Sequence, residues 1–157
     1  MRRKDREVTD IGVIKEILDS CMTVCVSMID NDRPYSVPLN YGYEIKDRCL
    51  ILYLHSAKEG RKIDILKRNN KVCFTIFSEG EPVHAETPCS SGFFYSSVFG
   101  EGEACFIEDM SEKKHALKVL TSHQMKRDYD FTDEQADSVC VFKIVSTGFT
   151  GKRKPKT

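Results

Sequence analysis

Two hydrophobic periods take turns along this chain. Ile11, Ile14 and Leu18, widened by Ile17, recur at the spacing of one helix face, and Thr9 or Asp10 stands where a cap is needed. At CMTVCVSMID the period falls to two, with Met22, Val24, Val26 and Met28 alternating with smaller or more polar residues, which predicts a strand. Asn31-Asp32-Arg33-Pro34 reads as a turn, YSVPLNYGYE as a second extended segment, Lys46-Asp47 as another turn, and CLILYLH as an apolar strand ending at His55. The period then returns to helical through SAKEGRKIDILKRNN, where Ile63 and Leu66 are the apolar positions.

KVCFTIFS predicts the next strand, closed by Glu79-Gly80-Glu81-Pro82. After a less regular stretch, FFYSSVFGEGEACFIED reads as one long strand in which Gly100 and Gly102 signal a bulge or bend. A helix capped by Asp109 or Ser111 runs to about Met125 with Leu117 and Leu120 facing inward, and Thr132-Asp133-Glu134-Gln135 fits a capping box. SVCVFKIVSTG is the last strand, and the basic GKRKPKT is expected to be a solvated terminus. Six strands, mostly joined by hairpins and interleaved with isolated helices, predict an antiparallel β-barrel with helices on its ends. The pattern does not choose between barrel types.

At 157 residues the chain suits one domain, residues 1–157, with a single core. Its 24 basic and 24 acidic residues cancel, so no global field marks a nucleic-acid binder. No apolar run reaches the roughly 20 residues of a membrane helix. The charged opening MRRKDREVTD lacks a following apolar segment, so a secretory signal is not expected. Seven scattered cysteines, none in a CxxC pair, mostly occupy apolar runs and are expected to be buried thiols in a reducing, cytoplasmic setting, with Cys89 the most exposed.

Candidate chemistry concentrates at LYLHSAKEGRKIDIL. A strand delivers His55, Ser56 and Ala57 to its end, and a helix begins within a few residues carrying Gly60, Arg61 and Lys62 in its first turn. A helix start offers unpaired N–H groups and partial positive charge, Ser56 a hydroxyl, and Arg61 and Lys62 two full charges. That set suits a phosphate monoester, and an anion would also relieve the clash between these cations and the helix dipole. The competing reading leaves both cations on a solvated helix face.

VPLN, HSAKEGRK, SVFGEGEA and a terminal VFKI with TGK, in this order, resemble the FMN-binding split-barrel superfamily related to pyridoxamine 5'-phosphate oxidase, nearest its nitroimidazole-resistance branch. The resemblance implies a six-stranded antiparallel split barrel, mainly β with flanking helices, forming a homodimer with FMN at its interface. It implies that Val37, Pro38, Leu39 and Asn40 run along the flavin and that His55, Ser56 and Ala57 lie near the ribityl chain, phosphate or ring. Arg61 and Lys62 would take the phosphate, and Ser97 and Val98 would approach from the dimer side. An oxidoreductase passing electrons from a donor to a small, nitroaromatic-type acceptor is the implied function; a flavin carrier or sensor, and a haem-binding protein on the same barrel, are the alternatives. Phe93-Phe94-Tyr95-Ser96 departs from that branch, which bears on the substrate side of the pocket.

His55 is the candidate catalytic residue, as a proton donor beside the flavin or as a residue that only hydrogen-bonds to cofactor or backbone. His115 and His123 stand eight apart, not four, so no metal site is expected, and His84 is the conceivable haem ligand. Tyr35, Tyr41, Tyr43, Tyr53, Phe93, Phe94 and Tyr95 could stack on a flat ligand or simply pack.

Overall fold

The computed structural model describes residues 3–78 and 80–154. After a short turn of helix and a two-residue strand β1 (Glu7–Val8) come α1 (Ile11–Ser20), β2 (Thr23–Asp30), β3 (Arg33–Asn40), β4 (Gly42–Lys46) and β5 (Cys49–Ser56). Then follow α2 (Arg61–Arg68), β6 (Lys71–Phe77), β7 (Glu81–Val83), β8 (Gly92–Phe106), α3 (Met110–Met125), α4 (Asp133–Asp137) and β9 (Cys140–Lys154). The main ladder runs β3-β2-β6-β8-β9-β5-β4, antiparallel throughout, with β1 added beside β9 and β7 beside β8. This is the split-barrel fold, its path open at β3 and β4.

Among the described residues there are nine strands, the expected six plus the short β1 and β7 and the division of one segment into two. YSVPLNYGYE is not one strand: Tyr41 is fully buried, its hydroxyl donates to the carbonyls of Leu18 at 2.7 Å and Cys21 at 3.2 Å, and the chain changes partner there, β3 pairing with β2 and β4 with β5. Glu81 and Pro82, expected in a turn, begin β7; Glu79 lies outside the described residues. Lys152, Arg153 and Lys154, expected in a solvated tail, are half-buried members of β9, where Lys152 pairs with Ser97 and Glu7. A cationic run looks like a tail in sequence, yet long side chains can lie along a sheet with their charges in water. Lys156 lies outside the described residues.

Inside the barrel sit Val24, Val26, Phe74, Ile76, Val98, Leu50, Leu52 and Leu54. A second cluster, Tyr53, Ile107, Ala116, Leu117, Ala136 and Val141, packs α3 and α4 onto the outer side of β5 and β9. β5 is thus buried on both faces, which is why CLILYLH is apolar without alternation. Asp10 and Asp109 cap α1 and α3 through the N–H groups of Val13 and Glu112, and Thr132 and Gln135 complete the capping box of α4. The register of β8 against β9 shifts between Glu101 and Glu103, so the bulge falls at Gly102.

Most cysteines are not buried, contrary to expectation. Cys21 is; Cys25, Cys49, Cys73, Cys105 and Cys140 are half-buried and Cys89 is exposed. In VCV and VCFTIF the flanking valine, phenylalanine and isoleucine take the inward positions, and a period of two then turns the thiol outward.

Candidate functional site

β3 is an edge strand, and its C-terminal end lies beside the end of β5. Thr23, Pro38, Leu39, Asn40 and His55 line a cleft of about 320 Å³ there. Pro38 suits the position because an edge strand tolerates a residue without an N–H. Val37 and Leu39 pack against the core, while Pro38 and Asn40 are exposed. The Asn40 amide donates to the Met22 carbonyl at 3.1 Å and to Oε1 of Gln124 at 2.9 Å, which fixes the side chain and leaves its own oxygen available. His55 makes no hydrogen bond or ion pair among the described residues. His55 is exposed, and partial desolvation of its ring by the surrounding cleft lowers the imidazole pKa below the ordinary value, so the neutral form, with one donor and one acceptor, predominates at neutral pH.

At the other end of the β3 row lies the start of α2. Gly60 caps it with φ 132°, a left-handed conformation that favours glycine. Ile63 and Asp64 donate to the Gly60 carbonyl, and the Arg61 and Lys62 N–H groups have no partner among the described residues. The two cations part company, as neighbours on a helix must. Arg61 lies over the Tyr35 ring, 4.3 Å from its centroid, and its Nε donates to Asp30 at 2.9 Å. Lys62 is half-buried, and together with exposed Lys67 and buried Lys113 it lies within electrostatic reach of the Cys140 thiol. Ser56 is buried and donates to the carbonyl of Ala57 at 2.7 Å, so its hydroxyl is turned to the backbone; Ala57 is exposed.

Ser97 and Val98 are not brought into this cleft within one chain. Val98 is fully buried in the barrel, so only its backbone could meet a ligand. Ser97 is on the outer face, pairing with Phe77, while Asn40 pairs with Thr23. β2 and β6 stand between them, a separation of three strand spacings or about 14 Å. His84 is exposed after β7, and no cluster of three or more metal-ligating side chains occurs among the described residues.

Sequence reasoning missed Asp30, which accepts from Arg61 and also from Arg68 at 2.8 Å, and Gln124, which fixes Asn40. Neither carries a local signal, because each acts across a long sequence separation.

Residues 11–153 match the sequence profile of the family described as pyridoxamine 5'-phosphate oxidase. No curated protein matches. Among solved structures, the chain is similar to a candidate 5-nitroimidazole antibiotic resistance protein from Bacteroides thetaiotaomicron, with 37% identity over 93% of this chain and 85% of that one and a TM-score of 0.81. It shares its fold with an FAD- and haem-binding protein from Mycobacterium smegmatis, at 16% identity, 96% and 74% coverage and a TM-score of 0.81. The flavocytochrome Anf3 from Azotobacter vinelandii has the same fold at 19% identity, 99% and 72% coverage and a TM-score of 0.79. No helix among the described residues is long and apolar enough to cross a membrane.

Proposed function

This chain belongs to the pyridoxamine 5'-phosphate oxidase family, and on that premise we propose that it holds FMN along β3 and uses it to reduce a small, nitroaromatic-type acceptor. One observation carries the reading. Tyr35, beneath Arg61, and Leu39, beside His55, lie four residues apart on one strand, a span of about 13 Å. An extended five-carbon chain suits that separation once its phosphate ester at one end and part of the tricyclic ring at the other are counted in the span. The residues fit the two ends of such a cofactor: unpaired N–H groups and the Arg61 guanidinium at one, an open edge strand and an unpartnered neutral histidine at the other.

When bound, the isoalloxazine supplies the electron transfer itself. The protein's part is to anchor the phosphate at Arg61 and the first turn of α2, with Lys62 adding positive charge, and to align the ring against Val37, Pro38, Leu39 and Asn40. His55 is placed to hydrogen-bond at the ring end and, if substrate is reduced there, to pass a proton from one ring nitrogen. A cleft of about 320 Å³ is at the small end for a site that must bury most of its ligand. A second copy of the chain supplies the missing wall and brings Ser97 to the ring.

The protein as purified, or after addition of FMN, is expected to show flavin absorbance; a Soret band instead would favour haem. Replacing Arg61 and Lys62 together by alanine should weaken FMN binding by about 1.5–3 kcal/mol, roughly ten- to a hundredfold, with the charge-assisted contact of Arg61 carrying most of the loss and the longer-range charge of Lys62 the rest. An unchanged titration would remove the phosphate site from α2. Anaerobic reduction by a nicotinamide cofactor, followed by reoxidation on adding a nitroimidazole, is the result expected of an enzyme. Flavin that no physiological reductant bleaches would identify a carrier.

A further inference from the structure

Resting on the phosphate-site reading just given, we infer that Asp30 and Tyr35 are positioning residues that mount the Arg61 guanidinium for the cofactor phosphate. Asp30 ends β2 and Tyr35 lies near the start of β3, so both belong to the turn end of one hairpin and move as a unit. Nε and Nη2 of Arg61 both approach Oδ2 of Asp30 at 2.9 Å. The Tyr35 ring covers one face of the guanidinium. That leaves the Nη1 edge, and the second face, to a ligand.

A free arginine side chain carries rotamer entropy that binding would otherwise have to remove. Here two contacts from a rigid hairpin remove it beforehand. Asp30 could instead compete with a phosphate for Arg61, and its surroundings argue against that. Its other oxygen is taken by Arg68 at 2.8 Å, and its side chain is only 17% exposed while both arginines are 56% exposed. The trio carries a net charge of +1, displayed by its arginines. Hydrogen bonding to Arg61 foremost, helped by the charge of Arg61 and by Arg68, outweighs the opposing cost of desolvation and keeps the Asp30 carboxyl below its ordinary pKa, so the anchor stays charged at neutral pH.

The test is a pair of titrations, FMN and riboflavin, which differ only in the phosphate. Asp30→Asn and Tyr35→Leu should each weaken FMN binding about tenfold, as expected for loosening one charge-assisted contact, and leave riboflavin unchanged. In an Arg61→Ala background neither change should cost anything more, because both act through Arg61. Asp30→Asn binding FMN as tightly as the parent, or more tightly, would make Asp30 a competitor and overturn the inference. So would equal losses for the two flavins, or a further loss in the Arg61→Ala background. Should Asp30→Asn fail to fold, Tyr35→Leu carries the same readout. Arg61→Ala leaving the ratio of FMN to riboflavin affinity unchanged would instead refute the phosphate site itself, a result distinct from failure of Asp30 alone.

Discussion

Strands β2, β6 and β8 build two unlike faces from alternate residues. Val24, Val26, Met28, Phe74, Ile76 and Val98 point inward and are sealed from water. Thr23, Cys25, Ser27, Cys73, Thr75, Phe77, Ser97 and Phe99 point outward, and there the side chains are small, hydroxylic or aromatic. Ser36 Oγ lies 2.8 Å from Ser27 Oγ and 3.1 Å from Cys25 Sγ on that outer face. The inner set is fixed by volume, because a close-packed interior feels every methylene. The outer set has no such constraint from the monomer, so its unusual mixture of thiols, hydroxyls and phenylalanines has to be explained by what it meets.

The inner face should therefore be the costlier one to change. Phe74 is fully buried, and a Cβ added at Gly100, its register partner on β8, would lie 2.3 Å from Phe74 Cζ. Phe74→Ala should destabilise by about 3–5 kcal/mol through the cavity it leaves. Gly100→Ala should cost about 1–3 kcal/mol through overpacking. Combined with Phe74→Leu, which vacates the contested space, Gly100→Ala should cost less than it does alone, a coupling that urea denaturation of the double-mutant cycle would read. Strict additivity would mean that ring and glycine do not interlock.

A polar group survives inside only when partnered, and His123 tests this. It is buried on α3, its Nε2 lies 2.8 Å from the Cys21 carbonyl and so carries the donated proton, and its ring packs against Tyr41 and Tyr43. Burial pushes its pKa below the ordinary value, more than the bond to Cys21 raises it. The unfolded chain, with histidine near 6.5, then takes up a proton more readily than the folded one. The contribution to stability is complete above about pH 6.5 and is lost as pH falls through the lower folded value. His55 shifts in the same direction through partial desolvation. Depressed carboxylates act lower: burial works against Glu44, but hydrogen bonds from Lys46, Tyr53 and His115 outweigh it and bring the group down to about 2. Unfolding free energy should decline as pH falls below about 6.5, and His123→Gln, which keeps an N–H for Cys21, should flatten that decline. A slope unchanged by this substitution would assign it elsewhere.

How much of this could be read from residues alone follows the same division. Period-two alternation and the capping box at Thr132 are local and legible, and the sequence narrowed the caps to Thr9 or Asp10 and to Asp109 or Ser111, and the bulge to the Gly100–Gly102 stretch, from which the structure selects Asp10, Asp109 and Gly102. The break at Tyr41 was not visible, since it arises from a hydroxyl reaching carbonyls on another element. The motif order singled out Pro38, Leu39, Asn40 and His55, which the fold does gather into one cleft. It also paired Arg61 with Lys62, which the helix separates, and it could not supply Asp30, whose bond to Arg61 spans 31 residues and depends on how the β2–β3 hairpin meets α2.

The outer face should be the cheap one for the monomer. Phe77 is 61% exposed and Phe99 43%, and the register sets them diagonally adjacent, since Phe77 pairs with Ser97 and Phe99 with Thr75. Exchanging both for serine should change monomer stability by no more than about 0.5 kcal/mol each, because neither fills the core. If this face is the seam between two copies, a two-fold axis places each phenylalanine against the same patch twice over, so a single substitution is felt at two places in the contact. The double variant should then sediment as a monomer at micromolar concentrations where the parent is a dimer, and its FMN affinity should fall with the loss of the second wall. A variant that keeps the parent's association constant would leave the two phenylalanines outside the interface. The contrast between the faces would then reflect packing alone, and the route by which Ser97 reaches the flavin would have to run over another surface.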